Sequence, residues 1–240
     1  DISKYAVKHP EIKWLMLLPA MYGTLTLILM WGLQSVMVFH QLPVFVFSLI
    51  LGFPLGVLLC VSDPVSGIKP RKVLFQILTR IVNALRSFPF IILMILLFPL
   101  SRLIVGKTIG TAATVVPLSV AAAPFVARII ETSLKEVDFG VIQAAKAMGS
   151  STMQIILKVL IPEALPSLVD GITLTIINLI GYSAMAGAIG GGGLGDLAIR
   201  YGYQRFRPEI MAIAVIVILI MVELIQFIGS KISGRIASKR

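Results

Sequence analysis

Long apolar runs of bilayer length constrain this chain more than any other feature. Between Glu209 and Ile228 the only other charged residue is Glu223, and from Trp14 to Val61 the interruptions are as mild as Gln34, His40, Gln41 and Pro43. A helix crossing hydrocarbon needs about 20 residues, so each run reads as membrane-spanning helix. Composition agrees: 58% of residues are hydrophobic, only 13% are charged, and mean hydropathy is +0.98. Water-soluble domains carry about a quarter charged residues, so this chain has too little charge to cover a globule. The reading is an all-α, polytopic membrane helical bundle, with residues 1–240 forming one transmembrane domain.

Punctuation divides the apolar sequence. Residues 14–61 hold either two spans, with His40-Gln41-Leu42-Pro43 as the turn, or one long bent helix. Asp63-Pro64 and Lys69-Pro70 make residues 62–72 a loop. Val73 to Arg86 carries Gln76, Arg80, Asn83 and Arg86 at helical spacing, which predicts a helix along the membrane face. Phe88 to Leu100 then crosses with Pro89 near its middle, and Ser101 to Gly110 forms a loop. Thr111 to Ile130, Ser167 to Ile189 and Glu209 to Ile228 are further spans. The run Gly190 to Gly193 reads as a flexible or closely packed connection, or less simply as an anion cradle.

One stretch in the middle does not suit lipid. Residues 143–162 read QAAKAMGSSTMQIILKVLIP, with apolar positions at Val141, Ala145, Met148, Met153, Ile156, Leu157 and Leu160. That spacing predicts two one-sided helices. Gly149 supplies a left-handed turn between them, Ser150 to Thr152 cap the second, and Pro162 ends it. The opposite face shows Phe139, Gln143, Lys146 and Ser150. Such a hairpin either lies flat at the interface or presents its polar face to a partner.

Here the chain resembles a known family. Ala144-Ala145, three residues, Gly149, nine residues and Val159-x-Ile161-Pro162 is similar to the EAA loop of ABC-type importer permeases. Gln143 stands where that family usually has Glu. Gly181-Tyr182-Ser183-Ala184-Met185-Ala186-Gly187 with the glycines after it, Tyr201-Gly202-Tyr203, and Arg86-Ser87-Phe88-Pro89 resemble the permease subunits of methionine importers, over roughly residues 43–235. The stretch around residues 30–42 departs from them as an apparent insertion.

The resemblance implies the type I importer permease fold, with five core spans and room for a sixth at the amino end. It implies a homodimer in the bacterial inner membrane, two separate ATPase subunits that hold the ATP and Mg, and an extracytoplasmic methionine-binding lipoprotein. It implies a coupling loop within residues 136–165, with Gln143, Ala144, Ala145, Gly149 and Pro162 as its candidate residues. Tyr182, Ser183 and Met185 are candidates for the pathway or its gate, since they sit near the end of a span and a thioether fills irregular gaps. Met185 as a core or lipid-facing residue remains the other reading.

Charge and residue inventory limit the alternatives. The net charge of +10 comes from basic residues scattered between spans, without the aromatic-interleaved patch of a nucleic-acid surface. Lys69, Arg71, Lys72, Arg80, Arg86, Arg128, Lys135, Lys146, Lys158, Lys231, Arg235, Lys239 and Arg240 fall on one side, against Arg102, Lys107, Arg200, Arg205 and Arg207. The positive-inside rule makes the richer side cytoplasmic, together with the carboxyl terminus. Gly106-Lys107-Thr108 resembles the tail of a phosphate loop, but Ser101 stands where its first glycine belongs and no strand precedes it. Cys60 is the sole cysteine, and His9 and His40 are the only histidines. Neither a catalytic dyad nor a metal cluster, and hence no cofactor on this chain, is expected. A secondary transporter would need paired intramembrane charges. Asn178 reads as a helix–helix hydrogen bond, and Glu223 needs a partner, water or a proton.

Overall fold

The computed structural model describes residues 41–108, 110–187 and 189–238, and every regular element among them is helical. The possible amino-terminal span within residues 14–40, His9, His40, Ile109, Ala188, Lys239 and Arg240 lie outside the described residues. Four helices are long and apolar enough to cross a membrane: α1 (Gln41–Ser62), α5 (Thr111–Lys135), α9 (Leu165–Gly187) and α11 (Pro208–Ala237). A bent pair of helices has the apolar length for a fifth crossing if it is taken as one span. Helix α2 (Lys72–Ser87) turns through 105° into α3 (Phe90–Leu96). The break sits at Phe88, held extended (ψ 136°) by the following Pro89.

This bend corrects two expectations. Helix α2 does not run along the membrane face; it rises beside α5. Lys135 Nζ lies 5.2 Å from the Phe75 ring centre, and Val82 is buried with Leu59 and Ala127. Phe90, beyond the bend, packs in a cluster with Leu118 and Ala122. Arg80 and Arg86 therefore lie along a span and do not belong to the surface charge count. The predicted loop after Leu100 is also wrong. Residues Phe98–Val105 form helix α4, because Pro99 near its start supplies a helix-compatible φ instead of breaking a turn. Ser101 is fully buried, its Oγ donating to the Ala113 carbonyl of α5 at 2.6 Å. Gly106 ends α4 in the left-handed region, so the Gly106-Lys107-Thr108 string is a helix stop.

Helix α5 is the axis of the bundle. It is the most buried of the long helices, with 61% of its apolar window covered. Small residues Ala113, Ala122, Ala123 and Ala127 let neighbouring backbones approach it. Pro117 and Pro124 sit inside it. At one end hydroxyls tie the long helices together: Ser133 Oγ donates to the Ser167 carbonyl, and Ser233 Oγ reaches both the Pro166 carbonyl and Asp170 Oδ2. At the other end the glycine run folds back on α9. The expectation of a closely packed connection is met: at Gly195 a β-carbon would strike the Ala184 carbonyl. Short helix α10 (Gly193–Asp196) and a π-helical segment, Leu197–Tyr203, then lead into α11.

Candidate coupling hairpin and pathway face

Helix α6 (Phe139–Ala147) opens on Asp138, whose Oδ1 accepts from the Gly140 amide at 2.6 Å. The helix closes on Gly149 at φ +77°, where the Ser150 amide donates to the Ala145 carbonyl at 3.2 Å. That six-to-one bond across a left-handed residue is the Schellman arrangement. Helix α7 (Thr152–Ile155) starts at once. Ser151 Oγ accepts from the Gln154 amide, and Gln154 Oε1 accepts from the Ser151 amide, a reciprocal capping box. A helix stop at Gly149 and a helix start at Ser151 fall within three residues, so the turn is fixed by hydrogen bonds instead of being a loose loop.

Pro162 does not end the second helix. The chain passes from α7 through a π-helical turn, Ile156–Leu160, and α8 (Ile161–Glu163), and runs on into α9. Pro162 has no amide to give the Lys158 carbonyl. The i→i−5 pattern, seen in the Ile161 amide bonding to the Ile156 carbonyl, absorbs that mismatch without breaking the axis. The hairpin's second arm is thereby continuous with a span.

The hairpin's inner face differs from the predicted one. Ile142, Ala145, Ile155 and Leu160 are the buried residues, packed with Cys60 of α1 and Val126, Ile130 and Leu134 of α5. Met148 is 79% exposed and Met153 63%, and Val141 and Leu157 are exposed as well. Both faces carry apolar side chains, so periodicity could not choose between them. Gln143 and Ala144 are exposed, whereas Ala145 is 2% exposed and serves internal packing. The outer side of the hairpin therefore carries Phe139 near the base, Gln143 and Ala144 along the arm, and Met148 and Met153 at the tip, with Gly149 open to solvent. Pro162 sits apart from them, further along the arm.

An ionic cluster braces the base of the hairpin. Lys135 Nζ lies 2.5 Å from Asp63 Oδ2 and 2.8 Å from Glu131 Oε1, and Arg128 Nη1 is 2.7 Å from Glu131 Oε2. Glu131 is 1% exposed; two cations compensate its burial. Asp63 Oδ1 also accepts from the Val65 and Ser66 amides. Burial pushes the Asp63 carboxyl up, but the Lys135 and amide hydrogen bonds outweigh it and hold the group below its ordinary 3.8. The loop after α1, the end of α5 and, through Phe75, the start of α2 are thus joined three residues before the hairpin begins. Sequence reading did not single out this cluster. Glu131 and Lys135 at i, i+4 were its available signal, whereas Asp63 is joined only by the fold.

At the far end of α9 the three pathway candidates point in different directions. The Tyr182 ring stacks on Phe90 with centroids 4.1 Å apart and planes 7° from parallel. Ser183 lines a cavity of about 20 Å³ with Gln41, Thr111 and Thr114, space for about one water. Met185 is 49% exposed. It continues a stripe that sequence reasoning missed: Asp170, Leu174, Gly181 and Met185 are the exposed positions of α9 beyond its first residue, at steps of four, seven and four. Asn178, on the same stripe, donates Nδ2 to the Leu174 carbonyl at 2.9 Å in its own helix, so it does not bridge helices. A β-carbon on Gly181 would meet nothing within 4 Å. Among the described residues, this face is open.

The comparisons with known proteins agree with this geometry. Residues 52–231 match the family described as the binding-protein-dependent transport system inner membrane component. The chain is 48% identical over 186 residues to a probable D-methionine transport system permease of Vibrio cholerae, covering 78% of this chain and 82% of that protein. It is 40% identical over 211 residues to the corresponding Haemophilus influenzae protein, covering 86% and 99%. A solved structure of the MetNI methionine ABC transporter in inward-facing conformations superposes with a TM-score of 0.82 at 43% identity, over 89% of this chain and 98% of that one. An amino-acid ABC transporter with histidines matches in fold, at a TM-score of 0.65 and 20% identity. Four helices of crossing length with a bent pair beside them, a hairpin continuous with one of the four and a match over three quarters of the sequence place this chain in the family of binding-protein-dependent inner-membrane permeases.

Proposed function

We propose that this chain is the membrane-spanning subunit of an ATP-driven methionine importer. Two copies would form the pathway around a two-fold axis, with a separate ATPase on each hairpin and an extracytoplasmic binding protein supplying the solute. ATP and Mg belong to the ATPase partners. The hairpin end, where Lys69, Arg71, Lys72, Lys146 and Lys158 lie, is then the cytoplasmic end, and the carboxyl terminus of α11 lies on that side. Support comes from permeases named for methionine transport at 40–48% identity over most of their length, and from methionine import named likewise for the Bacillus subtilis relative at 48% identity.

One observation carries the coupling half: the hairpin tip is exposed and apolar while its base is locked to α1, α5 and α9. Displacing a lever moves what it is attached to only if the attachment is stiff. The capping box, the buried cluster around Ala145 and the Asp63–Lys135–Glu131 group supply that stiffness. Met148 and Met153 give the partner an adaptable apolar tip, and Gln143, Ala144 and Phe139 lie exposed along the same arm. Nucleotide bound to the partner drives the cycle only by favouring one arrangement of the spans over the other. A hairpin continuous with α9 passes that preference to the helix bearing Tyr182, Ser183 and Met185, the residues we assign to the pathway and its gate.

The test is ATP-dependent accumulation of labelled methionine in proteoliposomes holding this chain, its ATPase and its binding protein. The reading predicts uptake that stops without ATP. It also predicts at least a tenfold loss in Gly149→Val with hydrolysis retained, because a β-branched residue resists φ +77°. Absence of methionine uptake by the intact complex, or normal uptake by the variant, contradicts the substrate or the coupling assignment respectively.

A further inference from the structure

Arg86 is the last basic residue before the bend, one turn ahead of Phe90. Its level in the bundle follows from its neighbours in sequence. Val82, one turn earlier, packs with Ala127 of α5, and Phe90, one turn later, packs with Leu118 and Ala122. The Arg86 backbone is thus level with the central third of α5, far from either end of that 25-residue helix. The residue is exposed within the protomer, and its charge acts on the phenol of Tyr182. Tyr182 stacks on Phe90, and its chain neighbour Gly181 lies on the open face of α9 with Met185. The four ion pairs formed among the described residues leave Arg86 out. A charged residue at this depth is expensive unless it serves a partner or a passing solute.

We propose that Arg86 anchors the carboxylate of the transported solute while it travels along the α9 face. This rests on the amino-acid importer reading above. A guanidinium offers two parallel N–H donors that match a carboxylate, whereas an ammonium offers a point charge. The ligand class is therefore a small carboxylate-bearing zwitterion. Gly181 leaves open space on the α9 face, and Met185, one turn on, supplies apolar surface for the solute's side chain. The 105° bend at Phe88-Pro89 has a role in the same arrangement: it ends α2 at this depth, so that Arg86 sits at a helix terminus where its side chain is not crowded by a following turn.

The experiment compares wild type, Arg86→Lys and Arg86→Gln in the complete complex, following ATP-driven uptake of labelled methionine and ATP hydrolysis in the same vesicles. Arg86→Gln should cut uptake at least tenfold and leave hydrolysis within about twofold of wild type, and Arg86→Lys should recover part of the uptake because the charge is retained. Full uptake by Arg86→Gln overturns the anchor while leaving the importer reading intact. Parallel loss of hydrolysis and uptake in both variants assigns Arg86 a structural role and also overturns it. Wild-type vesicles that import no methionine overturn the underlying reading, and the anchor with it.

Discussion

Helices α9 and α11 pack against each other, yet each leaves a face uncovered, and the two faces differ in chemistry. On α11 only 6% of the apolar window is buried. Its exposed side chains include Met211, Val215, Ile216, Leu219, Ile220, Leu224, Phe227 and Ile228, spread around most of the circumference. On α9, beyond its first residue, the exposed positions form one stripe of Asp170, Leu174, the side-chain-free Gly181 and Met185, with half-buried Asn178 along it. Broad, uniformly aliphatic exposure is what a lipid-facing helix requires, since acyl chains offer no hydrogen bonds. A narrow stripe with an amide and a gap is poorly suited to lipid and well suited to a water-lined path. The two helices thus have different surroundings, separated both by hydropathy, 1.4 for α9 against 2.8 for α11, and by how polar and small residues are distributed around each axis.

The two helices also use glycine in opposite ways, and this gives the largest expected effect. Gly229 of α11 faces Thr173 of α9, where an added β-carbon would collide with the threonine side chain. Gly229→Leu should force the pair apart and destabilise the fold by about 3 kcal/mol, seen as a fall in thermal unfolding temperature in detergent. Gly181→Leu on the open stripe should leave that temperature nearly unchanged and reduce uptake at least tenfold by filling the path. If both variants lose stability equally, the stripe is a packed surface and the distinction between the faces fails.

Glu223 is the flaw in the lipid-facing description of α11, because it is exposed among Leu219, Ile220 and Leu224. A carboxyl among lipid-facing aliphatic side chains costs on the order of 2–3 kcal/mol. Glu223→Leu should therefore raise the unfolding temperature and leave uptake unchanged. Loss of uptake would show that this side of α11 contacts protein. The smallest effect belongs to the hairpin base on which both helices stand. Asp63 titrates below its ordinary 3.8, so the stability it contributes is fully present above that pH and is lost as pH falls through the lower folded value. The stability gap between wild type and Asp63→Asn, at most about 1 kcal/mol for a part-exposed pair, should be constant above about pH 4 and narrow below it.

Much of this was legible in the sequence because it is local. The spans follow from runs of apolar residues, and the hairpin turn from Gly149 and the Ser151–Gln154 spacing. What escaped depends on distant contacts or on the two meanings of proline. Pro99 starts a helix, Pro89 bends one and Pro162 lies within a continuous helical path; the difference is set by whether the neighbouring backbone has another hydrogen-bonding pattern available. The hairpin's inner face was misassigned because Met148 and Met153 are as apolar as Ile142 and Ile155, and only packing against α1 and α5 tells them apart. Of the pathway candidates, Met185 stands on the exposed stripe, but the stripe itself needed the burial pattern of α9 to emerge. The Asp63–Lys135 pair joins residues 72 positions apart, beyond the reach of any periodicity.

The most direct test places single cysteines on a Cys60→Ser background at Gly181 and Met185 of α9 and at Ile216 and Leu224 of α11. The reconstituted complex is then treated with a membrane-impermeant maleimide, with and without ATP. The account predicts labelling at both α9 positions, at rates that change with nucleotide, and none at the α11 positions. Labelling of α11 with α9 protected in every nucleotide state would contradict it.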